Sequence, residues 1–261
     1  MRVNLDEFHL KDIKNPIHPS IFMQEKEYDI LIIRLPYEKR TFQNESYAFV
    51  MTNESYYLYN KSNHEFKDLV DIKGFYELLN EKIDIAMNMT YEMYDKIEDI
   101  EDELYENKHI NGFNHKWFFY KNSLIKINRV IEKAIEAMKS FIKNYKIEED
   151  FLEINFSDLL EHLERTGRTA AHALEKLDAL YNFHASYSNE RMNKTIYVLT
   201  LLSGIFLPLN FLVGFFGMNT TTLPFTQEEG GTYFVISILA SVLFVCLLVI
   251  IYLNRVKKIK E

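Results

Sequence analysis

The sequence predicts an α+β membrane protein with a small α/β domain at its N-terminus, a long helical stalk and two C-terminal transmembrane helices. Three observations predict it. Two charge-free stretches lie near the C-terminus, an uninterrupted heptad pattern precedes them, and β-branched and aromatic segments cluster near the start.

Composition sets the bounds. The chain has 261 residues, 48% hydrophobic and 15% aromatic, enough to bury a sizeable core. One Cys excludes a disulfide framework or a zinc site of several thiolates. Only 8 Gly and 5 Pro disfavour glycine-rich phosphate loops and turn-dense all-β folds, and favour long helices. A net charge of -8, from 38 acidic against 30 basic residues, offers no footprint for nucleic acid and makes cations the natural partners. No nucleophile elbow, phosphate loop or histidine pair at helical spacing points to an enzyme. Scattered histidines such as His18, His64 and His162 read as structural or exposed, and Cys246 as an apolar filler.

The N-terminal domain, 1–72, carries the strand signals. Tyr28–Leu35, Tyr47–Met51 and Tyr56–Tyr59 are rich in β-branched and aromatic residues, and Thr52, Asn53 and Glu54 supply a turn between the last two. The helical region, 73–194, follows with patterns over Phe75–Tyr105 and Lys116–Tyr145, broken near Asn111 and Gly112 and again near Glu148, Glu149 and Asp150. Beyond this, Leu152, Phe156, Leu159, Leu163, Thr166, Ala170, Ala173, Leu177 and Leu180 recur at alternating steps of four and three, the seam of a coiled coil. No Pro interrupts 151–207, so one helix is expected to enter the bilayer unbroken. Acidic runs such as Glu98, Asp99, Glu101, Asp102 and Glu103 read as solvated helix surface.

The spans follow from the absence of charge between Thr195 and Gln227 and between Gly230 and Asn254, because crossing a bilayer takes about 20 apolar residues. They place transmembrane helices at 195–218 and 232–254, an external loop at 219–231 and a basic tail at 255–261. Arg191, Lys194, Arg255, Lys257, Lys258 and Lys260 flank the spans while the loop has no Lys or Arg, so both termini are expected to be cytoplasmic. No apolar run of a signal peptide opens the chain. On the first span Asn193, Ile196, Thr200, Ser203, Leu207, Asn210, Gly214 and Gly217 form a small or polar stripe. An inert anchor has no reason to hold Asn210 at mid-membrane, where an unpartnered amide is costly. The stripe suits close helix packing, or a pore built by several copies of the chain.

The first span ends in Phe216, Gly217, Met218 and Asn219, placed at the outer end of the penultimate apolar helix after a long heptad stalk. This resembles the CorA family of divalent cation channels, whose signature is Tyr-Gly-Met-Asn; Phe216 replaces the Tyr. Asp158, Leu159, Leu160, Glu161 and His162 are similar to the family's stalk pattern, and Leu10, Lys11, Asp12 and Ile13 to its Leu-Glu-Asp-Ile segment, with Lys11 in place of Glu. The external loop departs from the family's Met-Pro-Glu-Leu, reading Leu223, Pro224 and Phe225, then Glu228 and Glu229.

The resemblance implies a funnel-shaped homopentamer of the inner membrane, its stalk helices lining the axis, that passes divalent cations, most often Mg2+. ZntB-like members of the family carry Zn2+, and Co2+ or Ni2+ are further candidates. A scaffold that has lost transport is the reading from another class. Gly217, Met218 and Asn219 would form the selectivity filter. Magnesium sheds water reluctantly, so amide and carbonyl oxygens that bind its hydration shell avoid the dehydration cost. Asn210 would give a second polar ring, with Ile196, Leu199 and Leu207 closing a hydrophobic constriction. Glu228 and Glu229 would concentrate cations outside. By resemblance, Asp12 and Asp158 would hold a regulatory cation between subunits; the alternative is an ordinary N-cap at Asp12 and a solvated acid at Asp158.

Overall fold

The computed structural model describes residues 5–38, 42–107, 110–146, 151–218 and 230–260. The elements in order are α1 (Glu7–Lys14), β1 (Ile21–Gln24), β2 (Asp29–Glu38), β3 (Phe42–Met51), β4 (Tyr56–Asn60), β5 (Glu65–Asp68), α2 (Ile72–Asn107), α3 (Phe113–Tyr145), α4 (Glu153–Phe216) and α5 (Gly231–Lys260). They fall into two compact units, Met1–His184 and Ala185–Glu261, so the boundary lies within α4.

In the first unit the five strands form an antiparallel meander in the order β1-β2-β3-β4-β5. β2 is apolar on both faces because both are covered. Leu31, Ile33 and Leu35 pack into the core shared with α2, α3 and α4, while Ile30 and Ile32 pack with Ile13 of α1 and Tyr28. Pro36 is tolerated for a geometric reason. The Arg34 N–H donates to Ser20 Oγ at 2.8 Å on the β1 side of the strand. Pro36, two residues on, turns its donorless nitrogen to that side, past the end of β1, which pairs only with residues 29–32. The turn expected at Thr52–Glu54 is closed by the Thr52 side chain, whose Oγ1 accepts from the Ser55 N–H at 3.1 Å and donates to the Ser55 carbonyl at 2.9 Å. Two short edge strands, β1 and β5, add to the three segments read from the sequence. Glu-Phe-Lys-Asp of β5 has one apolar residue, too few to announce a strand.

The break between α2 and α3 falls at Asn111 and Gly112, as expected. Gly112 sits at φ 74°, a left-handed conformation that costs glycine nothing. The seam of α4 is buried from Phe156 through Leu180, with Leu152 half-buried at its start. Its partners belong to the same chain: Leu79, Ile83 and Ile97 of α2, and Leu124, Ile131 and Met138 of α3. Thr166, the one polar residue of the seam, is satisfied by donating to the His162 carbonyl at 2.7 Å. Phe156 stacks in parallel on Phe151 and meets Phe75, Tyr76 and Phe141 with ring centroids 5.2 to 5.7 Å away.

Ion pairs decorate the rim of this core. Lys176 of α4 bridges Glu98 at 3.0 Å and Glu101 at 2.6 Å, and Lys116 meets Glu103 at 3.1 Å, so three members of the acidic run on α2 are engaged. Burial pushes the Lys176 ammonium down, but its hydrogen bonds to Glu101 and Glu98 outweigh that, and the net shift is upward.

The second unit holds the apolar end of α4 and all of α5, and both helices are long and apolar enough to cross a membrane. Gly231–Tyr252 alone rises about 33 Å, close to the thickness of a hydrocarbon core. α4 continues through Pro208 to Phe216, nine residues beyond the expected unbroken run. Proline at 208 removes the N–H that would serve the Gly204 carbonyl. Cys246 of α5 lies with its Sγ 3.9 Å from that oxygen, so the thiol is a weak donor to an acceptor freed by proline rather than an inert filler.

The Phe156 ring is fully buried and Phe118 of α3 is 62% exposed. Phe156→Ala should destabilise the first unit by about 3–5 kcal/mol and lower its thermal midpoint in circular dichroism, whereas Phe118→Ala should leave that midpoint within about 1 °C.

Candidate functional site

The stripe read from the first span lies on the open side of a single chain. Between residues 198 and 216, the half-buried positions of α4 are Leu201, Ile205, Pro208, Leu209, Leu212 and Phe216. Asn193, Ile196, Leu199, Thr200, Ser203, Leu207, Asn210 and Gly214 are all exposed, with Leu207 at 67%. The helix thus gives Leu201, Ile205, Leu209 and Leu212 to its neighbour and leaves Ser203, Asn210 and Gly214 outward among larger apolar residues such as Phe206 and Phe211. Lipid alone would not favour an outward Asn210, since an unpartnered amide is costly against hydrocarbon. The Thr200 hydroxyl donates to the Ile196 carbonyl at 2.9 Å, which satisfies its proton and leaves its lone pairs free to accept.

At the end of α4 the Gly217 N–H donates to the Val213 carbonyl at 2.8 Å and the Met218 N–H to the Phe215 carbonyl at 3.4 Å, closing the last turn. Among the described residues no further turn follows to donate to its remaining carbonyls, which can accept from water or from an ion's water shell. Gly217 has a local reason to be glycine. A Cβ there would stand 2.8 Å from the Val213 carbonyl oxygen, a clash with backbone that cannot yield cheaply. Sequence reasoning missed this constraint, although a glycine just past a helix end is its usual sign. Asn219, Glu228 and Glu229 lie outside the described residues.

The two aspartates singled out for regulation are both in the first unit. Asp12 stands in α1 with its Oδ1 3.6 Å from His18 Nε2. It is not a cap: Asp6 caps α1, accepting from the Phe8 N–H at 2.8 Å. Asp158 is half-exposed on α4, its Oδ2 3.6 Å from His162 Nε2. The other ring nitrogen of His162, buried, faces Asp84 of α2 at 3.6 Å. His162 therefore stands between two carboxylates, a role that scattered spacing did not reveal. Among the described residues, no group of three or more His, Cys, Asp or Glu could hold a metal within one chain. Any site using Asp12 or Asp158 needs a ligand from elsewhere, such as a second copy.

Comparison with known proteins sets this architecture in a family. The family model for the CorA-like Mg2+ transporter protein matches residues 41–255. The cobalt/magnesium transport protein CorA of Thermotoga maritima is 22% identical over 186 residues, covering 70% of this chain and 51% of its own. The zinc transport protein ZntB of Yersinia enterocolitica is 28% identical over 166 residues, covering 59% of this chain and 47% of its own. The chain spans about half the length of the curated relatives it matches. The complete structure of the CorA magnesium transporter from Methanocaldococcus jannaschii superposes with a TM-score of 0.78 at 16% identity, over 94% of this chain and 82% of that one. A small sheet domain, one very long helix and two apolar C-terminal helices are common to both folds. With the family model matching most of its length, the chain belongs to the CorA-like Mg2+ transporter family.

Proposed function

We propose that the chain is one subunit of a homopentameric divalent cation transporter of the inner membrane, with both termini in the cytoplasm. The observation that carries this reading is the exposure of the polar stripe from Asn193 to Gly214 on a helix whose end frees backbone carbonyls beside Gly217 and Met218. Several copies facing their stripes to a common axis would satisfy Asn210 and remove it from lipid. The basic residues flanking both spans and their absence from the loop support the orientation.

Magnesium is the proposed cargo. Held by amide and carbonyl oxygens through its own water shell, it crosses without the dehydration it resists. In this reading Gly217, Met218 and Asn219 are the filter, and Asn193, Thr200, Ser203 and Asn210 line the path. Ile196, Leu199 and Leu207 form a constriction that gates by dewetting. The similarity to a relative named for zinc makes Zn2+ the second reading, with Co2+ or Ni2+ as further cargo. Uptake of each ion into proteoliposomes, with and without a pH gradient, separates these readings from one another and from a scaffold without transport.

In that assay Asn219→Ala should cut divalent uptake at least about tenfold with the oligomer still assembled on size exclusion; full flux in the variant would end the filter assignment. Glu228→Gln with Glu229→Gln should lower uptake at low external ion and low ionic strength, and the deficit should vanish at high salt, as expected for electrostatic capture. Asp12 and Asp158 are proposed to hold an inhibitory cytoplasmic cation between neighbouring subunits, since carboxylates repel when bare and attract through a divalent ion. Asp158→Asn should then raise the internal magnesium needed to close the channel, measured by current recording; equal inhibition of variant and wild type would remove the pair from that role.

A further inference from the structure

The two most exposed large apolar side chains of the first unit, among the described residues, are Ile154 of α4 at 85% and Phe8 of α1 at 79%. A single exposed apolar residue is ordinary, but the places of these two are not. Each stands one helical turn before one of the two aspartates, Phe8 four residues ahead of Asp12 and Ile154 four ahead of Asp158. Residues three, four and seven apart share a helix face. Phe8, Lys11 and Asp12 therefore form one stripe on α1, and Ile154, Asp158 and Glu161 another on α4.

One chain cannot join these stripes. α1 packs on one face of the sheet, through Ile13 against Ile30 and Ile32, while α4 packs on the other, in the core that holds Leu31, Ile33 and Leu35. The sheet lies between them, so the occupant that fits is a second copy of the chain. Charge points the same way. Lys11 is exposed and has no ion pair among the described residues. The α4 stripe is acidic. Its Glu161 is engaged by Arg165 at 2.8 Å, whereas Asp158 faces the His162 ring at 3.6 Å, beyond hydrogen-bond length.

We propose that Phe8 of one copy packs on Ile154 of its neighbour, an apolar contact that sets the register in which Asp12 and Asp158 face each other between subunits. This rests on the reading of those aspartates as an inter-subunit cation site, and it names what holds them together when the site is empty. Bare carboxylates repel, and the repulsion is opposed by two forces that need no bound ion. Burying Phe8 and Ile154 removes apolar surface from water at any ion concentration, and the Lys11 ammonium is drawn to the acidic stripe. The contact is head-to-tail, Phe8 of each copy meeting Ile154 of the next, which is the pattern that closes into a ring. By favouring the state in which the carboxylates are already paired, it lowers the cation concentration needed to close the channel.

The test is disulfide cross-linking of the full chain in membranes, in a C246S background that removes the native thiol and keeps a donor toward the Gly204 carbonyl. After oxidation F8C/I154C is expected to run as covalent dimers and larger species on a non-reducing gel. F8C and I154C alone should stay monomeric, because a head-to-tail contact never pairs like with like. In current recordings F8A should raise the internal magnesium needed for closure at least about threefold, and F8A/I154A should shift it no further, since both truncations remove one contact. Cross-linking together with an unchanged magnesium response in D158N would keep the contact and remove the cation. A shifted response in D158N with F8C/I154C still monomeric would keep the cation site and overturn the contact, as would additive shifts from F8A and I154A.

Discussion

The burial of the α4 seam against α2 and α3 is the contact on which the remaining structure depends. Phe156, Leu159, Leu163, Ala170, Ala173, Leu177 and Leu180 have no exposed side of their own, so the helix can present only one face to the core. Its other faces are thereby committed. Asp158, Glu161, Arg165, Arg168, His172 and Glu175 stand on the exposed side, with Arg165 and Glu161 joined at 2.8 Å.

The second unit is a different physical problem. Two helices bury little of each other, and Leu207, Phe211, Tyr233, Phe244 and Tyr252 are each more than 60% exposed. Such a surface is unfavourable in water and favourable in hydrocarbon, while the backbone of each helix meets its own hydrogen-bonding needs. Proline at 208 would ordinarily weaken such a helix. Here the nearby thiol of Cys246 eases the cost at the Gly204 carbonyl.

Much of this was legible along the chain, and the reason is that periodicity and charge act locally. The seam positions, the two apolar helices, the turn at Thr52 and the break at Gly112 all appear where their residues place them. The edge strands β1 and β5 were not legible. They are short and mostly polar, and they exist because β2 and β4 offer unpaired backbone to them. The partner of the seam was equally hidden. A heptad pattern states that one face must be covered, and the covering helices turned out to be α2 and α3 of the same chain.

By itself the sequence determined the three central strands and the long helices, the two apolar C-terminal helices, and the residues that make up the polar stripe and the Gly-Met-Asn segment, since each depends on neighbours within a few turns. Only the tertiary structure decided which face of α4 is open, that His162 stands between Asp84 and Asp158, and that Gly217 is excluded from bearing a side chain by the Val213 carbonyl. Those facts join residues as many as 78 positions apart, from Asp84 to His162, and no local pattern records which distant side chains a fold will bring together.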